Sequence, residues 1–456
     1  MPFNRPLTLV AAALITAAFA DSRPAKAATQ PPNILLITVD NLGYGDLRCY
    51  NPASPIRAPR LDQLAKEGAR LTSFYTASST CTVSRACLLT GRIPQRHGLV
   101  NQLPGLEGNY GIGLNHKERL IPQYLKRASK PYVTGCFGKW NIGFAKGSRP
   151  TERGFDEFIG HASGNIDYYS HNYAGKHDLY DGIRELHREG EYATDIFADA
   201  AIAFIRRKSN AEVPWFCYLP FNAPHFPSKK NKKPGQPNIW QAPDWAFAEY
   251  GMSPNEADPK KRYNACVTAL DRAVGRVLDS LDEAGVADET FVFFMSDNGG
   301  FRLNRKGIDV GVNDPLRSGG VTCWEGGIRV AAMARWPGHI KSGSVVDQAF
   351  WSPDILIACA KLAGVPLPSD IVLDGKDPLP ILTTGARSKH ESLYFEYRTH
   401  AALRKGDWKI VRERPNRPWQ LYNLREDLAE SNDLAGKRSE KLSELERVFE
   451  EWRRTF

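Results

Sequence analysis

The sequence predicts an α/β fold: a large, mostly parallel sheet flanked by helices, followed by a small C-terminal antiparallel α+β domain. Short apolar runs at 33–39, 216–220 and 291–295 alternate with segments of helical spacing at 60–68, 194–207 and 261–284. That alternation marks strands buried on both faces beneath covering helices. Within 261–284, Val267, Leu270, Val274, Val277 and Leu281 recur at steps of three and four, so one stripe packs on the sheet. Between these units, 228–258 is rich in Pro, Lys, Asn and Trp without periodicity and reads as a long loop near the active face. After Leu362-Ala363-Gly364 the pattern changes. Pro366, Pro368 and Asp374-Gly375 mark a linker, runs at 392–397, 401–403 and 408–412 read as antiparallel strands, and 440–454 as a closing helix. A chain of 456 residues exceeds the usual single core, so the expected division is 1–27, 28–364 and 365–456.

The first segment differs in kind. Arg5 precedes the apolar run 7–20, and Ala25-Lys26-Ala27 offers a small-x-small cleavage site, the pattern of a secretory signal peptide. The expected location is therefore periplasmic or secreted. The run is short for a bilayer span, and no later segment is long enough for one, so no membrane span is expected in the mature chain. The formal charge is +9, and removing Arg5, Asp21, Arg23 and Lys26 leaves +7. A mild basic excess suits polyanionic partners such as sulfated glycans. No zinc-knuckle, RNP or basic-zipper pattern is present, which argues against nucleic acid. The eight cysteines include no Cys-x-x-Cys pair, which argues against zinc.

The string Cys81-Thr82-Val83-Ser84-Arg85-Ala86-Cys87-Leu88-Leu89-Thr90-Gly91-Arg92 sets a small nucleophile beside fixed positive charge. Ser84 is expected to cap a helix over 85–90 that Gly91 ends, and the helix N-terminus to lower the Cys81 thiol's pKa. Read alone, such a cysteine is as readily a buried, inert one. Three strands deliver polar residues at their carboxyl ends: Asp40-Asn41, His225, and Asp297-Asn298. Open parallel sheets bind ligands at that edge. Two aspartates and two amides supply oxygen ligands, which suit Ca²⁺ or Mg²⁺; each pair by itself is also an ordinary tight turn. His161, His171 and His177, interleaved with Asp167, Tyr168, Tyr169 and Tyr173, fit either a sugar-binding cleft or an exposed loop.

The Cys81 string resembles the signature of the type I, formylglycine-dependent sulfatases, Cys-x-Pro-Ser-Arg followed by Leu-Thr-Gly-Arg, within the alkaline phosphatase superfamily. Further matching strings are Arg92-Ile93-Pro94-Gln95-Arg96-His97-Gly98, Gly138-Lys139-Trp140-Asn141, Arg153-Gly154-Phe155-Asp156, Ala223-Pro224-His225, Pro315-Leu316-Arg317, Trp324-Glu325-Gly326-Gly327 and Gly406-Asp407-Trp408-Lys409. The resemblance implies an alkaline-phosphatase-like fold and an arylsulfatase-like sulfuric ester hydrolase acting on a sulfated carbohydrate or aryl sulfate. It implies that a maturation enzyme converts Cys81 to formylglycine, whose hydrate attacks sulfur. Asp40, Asn41, Asp297 and Asn298, with the oxygen of modified Cys81, would hold a divalent metal, Ca²⁺ rather than Mg²⁺. Arg85 would stabilise the hydrate, Lys139 would contact the sulfate, and His225 would protonate the leaving oxygen.

Four positions depart from the family pattern. Val83 replaces the signature proline, Asn141 the histidine after Lys-Trp, Gly320 a sulfate-binding lysine, and Asn41 the commoner aspartate. Arg302, Arg305 or Lys306, beside Asp297-Asn298, is expected to supply the missing cation, with Arg302, Lys306 and Asn141 contacting substrate. Two alternatives stand beside hydrolysis of sulfate esters. One is a non-catalytic binder of sulfated glycans, to which Val83, Asn141 and Gly320 point. The other is a phosphatase or phosphonate hydrolase of the same superfamily, which lacks support from a second Asp-x-x-x-His ligand set.

Overall fold

The computed structural model describes residues 1, 30–103, 112–211, 213–228, 239–303 and 308–456, without the side chains of 303 and 308. Residues 2–27 of the expected leader, and 229–238 of the expected long loop, lie outside the described residues. The described residues form a ten-stranded sheet ordered Ser344–Val346, Ala69–Leu71, Ala332–Arg335, Thr290–Ser296, Asn33–Val39, Trp215–Pro220, Val133–Lys139, Glu157–His161, Tyr180–Asp181, Arg184–Glu185. The five strands from Thr290–Ser296 to Glu157–His161 are parallel. The strand Ala332–Arg335 runs antiparallel to both its neighbours.

Period-two alternation decides which layer each side chain joins. Leu35, Ile37 and Val39 pack with Cys217, Leu219, Val292 and Phe294 under the helices Pro59–Glu67, Ala193–Ser209 and Pro259–Glu283. Ile34 and Leu36 face the other way with Phe216, Tyr218, Phe291 and Phe293, against Cys81–Thr90, Ile121–Leu125 and Asp354–Leu362. Both faces are therefore covered, as parallel sheets require. In the expected loop, Asp244–Ala248 is a short helix, and Trp240 is buried with its Nε1 donating to the Pro224 carbonyl at 2.7 Å.

The C-terminal strands Leu393–Tyr397, His400–Lys405, Trp408–Arg412 and Gln420–Asn423 form an antiparallel meander. On one face Leu403, Ile410 and Leu421 pack against Leu445 and Phe449 of the helix Ser439–Arg453. On the other, Phe395, Ala402, Val411 and Tyr422 meet Tyr75, Val83, Cys87 and Trp324 of the large body. The small sheet thus buttresses the helix that carries Cys81. Lys409 crosses this seam fully buried, with Nζ 2.8 Å from both Glu325 and Glu430.

Candidate active site

The carboxyl edge of the parallel strands gathers the chemistry. Asp40 and Asn41 follow Asn33–Val39, and Asn41 takes a left-handed backbone (φ 66°) that asparagine tolerates better than most residues. The loops are sewn together there: Asp297 N–H donates to the Val39 carbonyl at 2.9 Å, Asp40 N–H to Ala223 at 3.0 Å, and Asn298 Nδ2 to Asn41 Oδ1 at 2.6 Å.

Cys81 is the first residue of the helix Cys81–Thr90, which Gly91 closes in the left-handed conformation (φ 68°). This corrects the expected cap. Thr80 holds the extended cap position, so the helix begins a turn earlier and Ser84 lies inside it, its N–H donating to the Thr80 carbonyl at 2.9 Å. The Cys81 thiol lies 3.1 Å from Asp40 Oδ1 and 3.8 Å from Asn41 Oδ1. Its expected acidity is also corrected: burial, then Asp297 and Asp40, push it well above the ordinary thiol value, outweighing Lys139 and Arg85. One turn along, Arg85 is wholly buried, donating to Asp297 Oδ2 at 2.7 Å and to the Lys139 carbonyl at 3.1 Å. Lys139, the last residue of its strand, pairs with Asp40.

His225 completes the cluster: ligand-capable atoms of Asp40, Cys81 and His225 lie within 4.8 Å of one another. Its Nδ1 bonds the Phe226 carbonyl at 2.8 Å, which assigns the proton to Nδ1 and leaves the Nε2 lone pair free. Burial, then the Lys139 charge, lowers its pKa to about 3. The Phe226 and Phe301 rings lie with centroids 4.0 and 6.2 Å from that of His225.

Several buried polar atoms here have no hydrogen-bond partner among the described residues. They include both amide atoms of Asn141 and of Asn222, both ring nitrogens of His161, and Asn298 Oδ1. Asn141 has φ 54° and no exposed surface. His161 ends the strand Glu157–His161 in register with Lys139. Sequence reasoning gave Asn222 no role, its only signal being its place before Ala223-Pro224-His225, and offered His161 only within the choice between a sugar cleft and an exposed loop. Of the residues set between a sugar cleft and an exposed loop, His161, His171 and Tyr168 are buried.

At Gly320, a Cβ would stand 2.2 Å from the Phe301 ring, so an aromatic ring fills the space beside that position. Arg302 pairs instead with Asp309 and leaves 42% of its side chain exposed; it is not drawn into the buried cluster. Arg305 and Lys306 lie outside the described residues.

The donor set fits a hard cation. Asp40, Asn41, Asp297 and Asn298 converge with oxygens, and the unpartnered, buried Asn298 Oδ1 is an acceptor that a cation would satisfy. All eight cysteines are free thiols, so Cys81 is available for modification.

The profile described as "Sulfatase" matches residues 32–365, and that described as "N-sulphoglucosamine sulphohydrolase, C-terminal" matches 322–454. N-acetylgalactosamine-6-sulfatase of Canis lupus familiaris is 31% identical over 431 residues, covering 90% of this chain and 77% of that protein. Arylsulfatase A of Homo sapiens is 34% identical over 427 residues, covering 84% and 75%. The solved structure of Ps i-CgsB in complex with k-i-k-neocarrahexaose superposes with a TM-score of 0.81 at 30% identity, covering 93% of each chain.

Proposed function

Because the chain belongs to the sulfatase family, we propose that it is an exported hydrolase of sulfate esters, acting on a sulfated carbohydrate or aryl sulfate through Cys81 matured to formylglycine. One observation carries the reading most directly: the convergence of Cys81, Asp40 and His225 within 4.8 Å, with Arg85 and Lys139 against the same carboxylates. The carbohydrate class is supported by the relatives, one bound to k-i-k-neocarrahexaose and one named for N-acetylgalactosamine-6-sulfate chemistry. Residues 1–27 are assigned as the export signal, 28–364 as the catalytic domain and 365–456 as the C-terminal domain. A formylglycine-generating enzyme is the implied maturation partner.

Asp40, Asn41, Asp297, Asn298 and the oxygen of matured Cys81 would hold Ca²⁺. When present, the cation polarises the sulfate oxygens, and the hydrated aldehyde supplies the nucleophilic oxygen. The protein's own groups do the rest. Arg85, fixed by Asp297 and the Lys139 carbonyl, keeps positive charge at the nucleophile without reorganising. Lys139 presents an ammonium to the sulfate, and the Asn141 amide donates to one of its oxygens. His225, its Nδ1 proton on the Phe226 carbonyl, receives a second proton at Nε2 once an anionic ester sits beside it, and delivers that proton to the leaving oxygen. Overall, water is consumed, the S–O bond to the alcohol breaks, and the alcohol, sulfate and one proton leave. Phe226 and Phe301 offer that alcohol an apolar wall, the Phe301 ring filling the space beside Gly320, where the family pattern has a lysine.

The test is product analysis with the matured protein. The reading expects sulfate from aryl sulfate and sulfated oligosaccharides. Release of phosphate from the matching phosphate esters at a higher kcat/KM would assign the chain to the phosphatase alternative, and glycan binding without turnover to the binder.

A further inference from the structure

We propose that His177, His187 and Glu189 form a second, structural metal site of the Zn²⁺ class, separate from the catalytic centre. Their ligand-capable atoms lie within 4.8 Å of one another. Glu189 Oε1 is 3.0 Å from His187 Nδ1 and 3.7 Å from His177 Nδ1. Tetrahedral Zn²⁺ bonded at about 2.0–2.1 Å sets neighbouring ligands about 3.3 Å apart, so these edges already bracket the required spacing. Two imidazoles and a carboxylate suit zinc better than Ca²⁺ or Mg²⁺, and the exposed side of Glu189 and His187 leaves the fourth position to water.

The outward nitrogens provide an independent reason. His177 Nε2 lies 3.0 Å from the Leu179 carbonyl, which assigns its proton to Nε2 and turns the Nδ1 lone pair towards the Glu189 carboxylate. A lone pair facing an anion is stabilised by a cation between them. His187 Nε2 lies 3.6 Å from Glu185 Oε2, an ion-pair rather than a hydrogen-bond distance, so a carboxylate also stands on the outer side of the second imidazole. Outer partners of this kind orient metal-binding histidines. Binding takes the His187 Nδ1 lone pair, so the ring's proton moves from the Glu189 side to Nε2, facing Glu185.

The position gives the metal a task. Asp178, next to His177, accepts the N–H groups of Ala162 and Ser163 at 3.0 Å, directly after His161. A metal across 177–189 would brace the segment that holds this end of the strand beside Lys139. The expectation against zinc rested on cysteine spacing, and this site contains no cysteine.

The experiment is a Zn²⁺ titration of the full chain in excess Ca²⁺, read by bound-metal analysis, with Co²⁺ as a visible-absorption probe. Wild type and Cys81→Ser are expected to bind one equivalent, with a raised melting temperature. His187→Gln and Glu189→Gln are expected to lose it while melting like metal-free wild type. Glu185→Gln is expected to bind about 10- to 100-fold more weakly, the usual effect of removing an outer partner. No zinc uptake by wild type at micromolar free metal, retention by His187→Gln, or loss on Cys81→Ser would each overturn the proposal.

Discussion

Replacing Asn141 by glycine removes an amide while leaving the backbone at ease, which separates the residue's chemistry from its conformation. Asn141 sits at φ 54° with no exposed surface, and both amide atoms lack partners among the described residues. A left-handed conformation costs an ordinary residue about 1–2 kcal/mol and asparagine less, and a buried polar group left unpaired costs about 1–3 kcal/mol. Glycine avoids both, so Asn141→Gly is expected to match or exceed wild-type stability by about 1 kcal/mol, after allowing for the small cavity. If the amide donates to a sulfate oxygen, losing it removes one oxyanion donor, about 2.7–4 kcal/mol or a 10²- to 10³-fold fall in kcat. Turnover of an aryl sulfate, paired with thermal melting with and without added sulfate, reads both effects. A variant that is equally stable yet turns over within threefold of wild type would refute the assigned role and leave Asn141 as a backbone residue only.

Two further outcomes follow from buried charge elsewhere. Lys409→Met strands Glu430 at the seam between the two sheets and takes from Glu325 one of its two cations, Arg329 remaining, and is expected to cost about 3–5 kcal/mol in denaturant unfolding; a loss below about 1 kcal/mol would contradict a dry seam. Asp271, whose Oδ1 accepts the Leu61 N–H at 2.8 Å, has its pKa raised by burial from 3.8 to about 7. Since the folded state holds this proton more tightly, the stability it contributes is full below about pH 4 and is lost as pH rises through about 7. The shift corresponds to about 4 kcal/mol. Denaturant midpoints measured from pH 4 to 8 should fall more steeply for wild type than for Asp271→Asn, and parallel profiles would contradict the assignment.

Much of the fold was legible because burial on both faces writes itself into apolar runs. The strand Asn33–Val39 and the helix Pro259–Glu283 stand close to where periodicity puts them. The strand Val133–Lys139 escaped because Gly135 and Gly138 interrupt its pattern. Gly138 is there for space, since a Cβ would meet the Pro220 carbonyl at 2.0 Å and φ is 132°. Gln420–Asn423, with only two buried residues between polar ends, carried too little pattern to read.

Within the site, Asp40, Cys81, His225 and Asp297 are far apart in sequence, and no local spacing foretells their meeting. Strand ends of one parallel sheet gathered Asp40, His225 and Asp297, and the likeness to a family added Cys81. The direction of the Cys81 shift was misread because a helix end contributes only partial charge, whereas burial and two carboxylates act together. Asn222 was unreadable as a site group, and His161 readable only as one of two open alternatives, because their signal is burial without a partner among the described residues, which only three dimensions reveal.

Hydrolysis through Cys81 depends on its maturation, which mass spectrometry of the tryptic peptide carrying it, from protein of the native host, detects. A matured Cys81 gives a peptide lighter by about 18 Da than the free-cysteine form, the mark of formylglycine as activated nucleophile. Unmodified cysteine throughout, in protein that binds sulfated glycans without releasing sulfate, would contradict it.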